Sequence, residues 1–231
     1  GTSWRARPHA VAARAIRSRT SVRAGETVIS GNFWTVVRTA QALVRRAAAL
    51  KPTLPSLLFF TDPERTPDIE AAARRLPRGS AVVYRSFGAP DAEARARKLL
   101  AIAHSRGLLL LIGADATLAA RIGADGVHLP ERLAHRARRL KQRGWIVTAA
   151  AHSAAAARRG LLAGADAVVV SAIFPSASPS AGQPIGPLRL AAIVRMAGGP
   201  VYGLGGINDK TARRLMPAGL IGLAAVEALR T

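Results

Sequence analysis

Short apolar runs alternate with stretches of helical period along most of the chain. Beyond Pro55 eight runs stand out: Leu57–Thr61, Ala81–Arg85, Leu108–Ile112, Gly126–Leu129, Trp145–Ala149, Ala167–Ser171, Val201–Leu204 and Ile221–Ala224. Their length and composition read as buried strands. Between them lie Ala/Arg/Leu-rich segments of helical character, among them Asp68–Leu76, Asp91–Ser105, Arg132–Gln142, Ser153–Ala163 and Leu188–Met196. Strands that alternate with helices predict a parallel sheet. Eight such units close into a barrel, so the expected architecture is a compact α/β (β/α)8 TIM barrel over residues 55–231. A doubly wound open sheet is the rival, but no Gly-x-Gly-x-x-Gly follows the first strand.

Upstream of the barrel, Trp34, Val37, Ala40, Val44 and Ala47 recur every three or four residues, which predicts one amphipathic helix at about 33–50. Lys51-Pro52-Thr53-Leu54-Pro55 ends it, because proline disfavours helix in its predecessor. A boundary is therefore expected there, with residues 1–54 forming a basic extension. Residues 1–32 are Arg- and Ser-rich with Glu26 as their one acid, a composition that resembles an organellar transit peptide. An unstructured basic tail or an over-long reading frame fits the same composition.

Composition narrows the classes. Of 231 residues 49% are apolar, enough to bury a full core, and cysteine is absent, which removes disulfides, thiolate metal sites and cysteine nucleophiles. Apolar runs such as Leu57–Phe60 and Leu108–Ile112 fall far short of the roughly 20 residues a bilayer requires. No membrane partner is expected. The formal net charge is +21, and only Lys51, Lys98, Lys141 and Lys210 of the 34 basic residues are lysine. So positive a field attracts anionic partners, from phosphorylated metabolites to nucleic acid. Arg132, Arg136, Arg139 and Arg143 fall at i, i+4, i+7 and i+11 and read as a solvated outer helix face. No aromatic interleaving or recognised motif supports nucleic-acid binding.

In a barrel the working residues sit where strands give way to loops. Gly203, Gly205 and Gly206 end the seventh strand before a helical stretch that opens near Asp209. Without Cβ atoms this backbone can approach an anion and aim its amides at it, with the following helix dipole in support. A tight turn needing positive φ is the alternative.

Three segments together resemble the thiamine phosphate synthase/TenI family: Ile122-Gly-Ala-Asp-Gly-Val-His-Leu129, Ala165-Asp-Ala-Val-Val-Val-Ser-Ala-Ile-Phe-Pro175 and Tyr202-Gly-Leu-Gly-Gly-Ile-Asn208. The resemblance covers about residues 57–229. It implies a cytoplasmic protein of thiamine biosynthesis that binds a thiazole phosphate-like ligand. The synthase reaction joins a pyrimidine methyl diphosphate to that phosphate with Mg2+. The resemblance also implies that the 203–206 loop, with Ser176 and Ser178, holds the phosphate, and that Arg85 faces the leaving diphosphate.

The chain departs from that pattern at several places. Gln-x-Arg-x-Lys is Val83-Tyr-Arg-Ser-Phe87; Pro-Thr-x-Thr-Lys is Pro175-Ser-Ala-Ser-Pro179; a serine after the fifth strand is Ala150, and Glu227 stands where the family has serine. Asn-Asp after the third strand matches Gly113-Ala114 or Ala114-Asp115, leaving Asp115 as a metal ligand or as a helix N-cap. The second metal carboxylate falls on Leu133, with Glu131 the acid nearby. His128 reads as an interior residue or a ligand contact. His152 occupies the place of a proton-shuttling histidine in TenI-type thiazole tautomerases, a role that suits imidazole, although capping or scaffolding would also account for it. Three functions thus stand side by side: synthase, tautomerase through His152, and a barrel without catalysis serving as scaffold or basic surface. The oligomeric state stays open, a homo-oligomer included.

Overall fold

Every strand of the barrel is three to six residues long, so the polypeptide turns out of the sheet as soon as its alternation has filled both sides. The computed structural model describes residues 31–47, 54–176 and 182–226. The strands are β1 Leu57–Phe60, β2 Ala81–Tyr84, β3 Leu109–Gly113, β4 Gly126–Leu129, β5 Ile146–Ala151, β6 Ala167–Val170, β7 Val201–Gly203 and β8 Gly222–Ala225. They form one closed barrel in sequence order, and β1 pairs with β8 in parallel, Leu58 opposite Ala224. The helices are α1 Gly31–Ala47, α2 Ile69–Arg75, α3 Ala92–Arg106, α4 Ala116–Ile122, α5 Ala137–Lys141, α6 Ala154–Leu162, α7 Gly186–Ala197 and α8 Asp209–Ala212. No helix among the described residues is long and apolar enough to cross a membrane.

The period-two alternation separates two cores. Leu58, Phe60, Val83, Leu111, Val169 and Tyr202 fill the barrel interior. Phe59, Val82, Leu110 and Val168 point outward, into the layer shared with the helices. The alternation carries on past the strand ends. Thr61 and Leu204, expected inside strands, lie one residue beyond them, yet each still donates its amide to the neighbouring strand (3.0 Å to Val83 O, 2.9 Å to Val170 O). β5 runs two residues past the expected Ala149 and carries His152 up to the mouth.

Two helical expectations change. The buried face of α1 is Phe33, Val36, Val37, Ala40 and Leu43, whereas Trp34 is 40% exposed. The face lies one step round from the expected stripe, with Trp34 leaning on the Phe33 ring at 5.6 Å. That face packs on α8, β8 and β1, where the barrel closes.

The segment Arg132–Gln142 is not one helix. A 3₁₀ turn, Glu131–Arg136, begins after Pro130 and leads into α5. At three residues per turn, positions four apart sit about 120° from each other rather than side by side. The expected arginine stripe is therefore split: Arg132 turns toward α6, while Arg136, Arg139 and Arg143 turn toward α4.

Candidate functional site

A cavity of about 920 Å³ opens at the carboxyl ends of β1 to β6 and extends between α4 and α5. Its inner wall is Phe60, Arg85, His128, His152 and Ser171, with Leu204 at the far side. Phe60 and His128 are interior positions of β1 and β4, and Arg85, His152 and Ser171 carry the interior alternation one residue past β2, β5 and β6, so the barrel aims all five at one volume.

Arg85 is held on three sides. Its Nε donates to Thr61 O at 2.8 Å, and its guanidinium lies 3.3 Å from Asp62 Oδ2. The Phe87 ring lies 5.0 Å from the guanidinium carbon and the Phe60 ring 5.8 Å. Burial lowers its pKa, opposed by the Asp62 charge. Sequence reading passed over Asp62. Buried at the mouth, it also pairs with Arg65 Nη2 at 2.9 Å and accepts the amides of Glu64 and Arg65. Burial pushes this carboxyl upward, but the Arg65 amide bond and the Arg65 and Arg85 charges outweigh it and hold the group below its ordinary value. Its signal lay in the alternation Leu58, Phe60, Asp62, which points to the interior.

His128 is an interior residue, as expected, and also lines the cavity. Its Nδ1 lies 2.9 Å from Thr148 Oγ1 and its ring meets Phe60 edge-on at 4.9 Å. Burial first, and the nearby Arg85 charge second, push its pKa down to about 3, so the ring stays neutral at physiological pH.

His152 lines the same cavity from the exposed end of β5. Its Nδ1 lies 2.8 Å from Glu131 Oε2, which also accepts the His152 backbone amide at 3.0 Å. A carboxylate acceptor fixes Nδ1 as the protonated nitrogen and leaves Nε2 for exchange with a ligand. Capping is done by the next residue: Ser153 Oγ accepts the Ala156 amide at the start of α6. Of the roles weighed for His152, capping of α6 thus falls to Ser153.

The metal expectation meets a poorly matched donor set. Asp115 is the N-cap of α4, its Oδ1 accepting the Leu118 amide at 2.8 Å. Glu131 is taken by His152 and approaches Arg159 at 3.6 Å. Leu133, the expected second position, lines the cavity with an apolar side chain. Among the described residues no cluster of three or more His, Asp or Glu could hold a metal ion. Magnesium favours an octahedron of oxygens, which these residues do not supply. Ala114 has a φ of 63°, a left-handed conformation that asparagine tolerates better than alanine, so Ala114-Asp115 is the register that fits the Asn-Asp pair.

The glycine loop is built differently from expectation. A Cβ on Gly203 would lie 2.6 Å from Ile173 Cδ1, so this glycine serves the packing of the outer layer and not an anion. Gly205 and Gly206 have φ of 104° and 62°, and a Cβ on Gly206 would strike the Pro175 carbonyl. The loop is laced to the segment after β6: Ile173 N donates to Leu204 O at 3.0 Å and Phe174 N to Gly205 O at 3.1 Å. Asn208 Oδ1 takes the amides of Lys210 and Thr211, which closes the start of α8 to an incoming anion. The tight-turn alternative thus accounts for the glycines, while Leu204 beside them reaches the cavity. Ser176 stands half-buried where the described part of its loop ends; Ser178 and Glu227 lie outside the described residues.

The model of the family described as "Thiamine monophosphate synthase" matches residues 57–229. A thiamine-phosphate synthase of Alcanivorax borkumensis is 32% identical over 189 residues, covering 76% of this chain and 85% of that protein. One of Roseiflexus sp. is 34% identical over 144 residues, where the chain spans 61% of that protein's length, less than two thirds. Among solved structures, thiamine phosphate pyrophosphorylase from Pyrococcus furiosus is similar with a TM-score of 0.65 and 25% identity over 76% of this chain and 87% of that chain.

Proposed function

The chain belongs to the thiamine monophosphate synthase family, and from that premise we propose that its mouth cavity binds a phosphorylated thiazole-type ligand on which His152 moves a proton. The observation that carries this reading is the 2.8 Å contact between His152 Nδ1 and Glu131, at the edge of the ligand-sized cavity. His152 Nε2 takes a proton from one ring position and returns it to another, so atoms and charge balance without a co-reactant. Glu131 holds the imidazole and stabilises the cation formed midway. General acid–base catalysis of this kind contributes typically about 10²–10⁴-fold.

Joining of a pyrimidine methyl diphosphate to the thiazole phosphate is the second reading, favoured by the relatives' activity. Against it weighs the loss of charge at the diphosphate end. Val83 and Phe87 replace the polar and cationic residues of the family pattern, and Arg85 is already paired with Asp62. Loss of one preorganised contact costs about 10²–10³ in rate.

The deciding assay offers the purified protein each thiazole phosphate tautomer alone, then thiazole phosphate, pyrimidine methyl diphosphate and magnesium together. Interconversion of the tautomers, abolished in His152→Ala with ligand binding retained, is the expected result. Robust magnesium-dependent thiamine phosphate formation without tautomer exchange would overturn the first reading in favour of the second.

A further inference from the structure

We propose that Phe87 is a specificity-determining residue of the mouth cavity: its ring is a shelf on which a flat heteroaromatic ring of the ligand stacks, on the side of the mouth where the family pattern has lysine. The inference rests on the mouth cavity being the ligand site and assigns the residue that selects the ring. It does not depend on His152 acting on what is bound there.

Two aromatic side chains among the described residues are largely exposed, Trp34 at 40% and Phe87 at 64%. Trp34 has the Phe33 ring beside it on α1, whereas Phe87 stands at the rim of the cavity. An apolar ring left in water beside a ligand-sized volume forgoes burial that a ligand's own ring can restore.

The backbone under Phe87 is also unusual. Ala89 N donates to Ser86 O at 2.9 Å and closes a turn over Ser86–Ala89, in which both central residues have positive φ, 49° at Phe87 and 79° at Gly88. Asn-Gly, Asp-Gly or Gly-Gly suits such a turn. A bulky side chain in the first central position is an outlier, and residues held in this way cluster at ligand clamps.

The shelf is braced from behind. The Arg85 guanidinium carbon lies 5.0 Å from the Phe87 ring centroid and 5.8 Å from that of Phe60. Arg85 is itself tied to Thr61 O and to the Asp62 carboxylate. Phe87 thus rests on a cation fixed at two points, and stacking on a preorganised ring has a low ordering cost. With Arg85 occupied by Asp62, this side of the mouth offers ring faces and favours a ring over an anionic group. Phe60, edge-on to His128, continues the aromatic surface inward.

Calorimetry on the full chain tests the assignment with hydroxyethylthiazole phosphate and propyl phosphate, which share the phosphate and differ in the ring. The parent should bind the thiazole phosphate at least about tenfold more tightly. Phe87→Leu stays apolar but loses the π face; it should weaken the thiazole phosphate about three- to tenfold and leave propyl phosphate within about twofold. Phe87→Tyr keeps the ring and should stay within about twofold of the parent for both. Leucine and tyrosine share the strained turn and should melt with the parent, which separates lost binding from misfolding. Phe87→Asn should melt above Phe87→Leu, because asparagine tolerates the left-handed conformation; the reverse order would overturn the shelf's geometry. A parent indifferent to the ring, or a preference unchanged in Phe87→Leu, would overturn the role of Phe87 and leave the cavity as the ligand site. A parent that binds neither phosphate would overturn both.

Discussion

Replacing His128 by glutamine should remove a large part of the protein's sensitivity to mild acid. The native ring is buried and neutral, with a pKa of about 3, against an ordinary histidine value of 6.5 in the unfolded chain. The folded value is depressed, so the unfolded state binds the proton first as the pH falls. The stability this group contributes is complete above pH 6.5 and is lost progressively from there toward pH 3. At pH 5 the folded ring still carries no proton while most unfolded chains do, which puts the loss at about 2 kcal/mol. Glutamine titrates nowhere in this range. It can still reach Thr148, but it gives up the edge-on contact with Phe60, so His128→Gln should start about 1–2 kcal/mol less stable at pH 7.5. Urea unfolding of both proteins at pH 7.5, 6.5, 5.5 and 5.0 measures the gap, and carboxylates common to both cancel from the difference. The gap should close by about 2 kcal/mol between pH 7.5 and pH 5. Parallel stability curves would show that His128 charges freely in the native state and that burial beside Arg85 does not govern it.

Other outcomes follow from the same geometry. Phe33→Ala, at 1% exposure on the α1 face, should cost about 3–5 kcal/mol in urea unfolding. Ala114→Gly should stabilise the fold by about 0.5–1 kcal/mol by relieving a left-handed alanine, while Gly206→Ala should destabilise it by more than about 1 kcal/mol; melting curves of the pair should move in opposite directions. Asp62→Asn should lower stability by about 3 kcal/mol, because it leaves Arg85 and Arg65 without their shared carboxylate; the double variant Asp62→Asn/Arg85→Gln should recover part of that loss.

The barrel could be read because each strand is a short apolar run and each helix has its own period, both local properties of the sequence. The strand ends were legible to within a residue or two. Arg85 and His152 were found through their places in the family pattern and His128 through its place in the fourth strand, and the barrel brings all three to one cavity. The site was not legible where two loops cooperate. Glu131 read as a metal-side acid because nothing in the sequence places it 2.8 Å from His152, twenty-one residues on. Asp62 shares its carboxylate between Arg65, three residues on, and Arg85, which only the pairing of β1 with β2 brings beside it. The arginine stripe went astray for a different reason: a 3₁₀ turn and an α-helix have the same composition here but different periods, and the period decides which arginines share a cavity.

The seating of α1 over the closing strands bears on how the molecule is made. Pairing of Leu58 with Ala224 joins the two extremes of the barrel sequence, a closure with a high entropic cost in an open chain. On the ribosome the first strand is finished long before its last neighbour exists. Throughout that interval the apolar face of α1, from Phe33 to Leu43, has no finished seat, since part of it is built by α8 and β8. Synthesis therefore holds this face uncovered until the final strand arrives, and then barrel closure and helix docking occur as one cooperative event. Docking of α1 is thereby coupled to the arrival of β8, and the nascent chain is most exposed to aggregation in the interval before that strand is made.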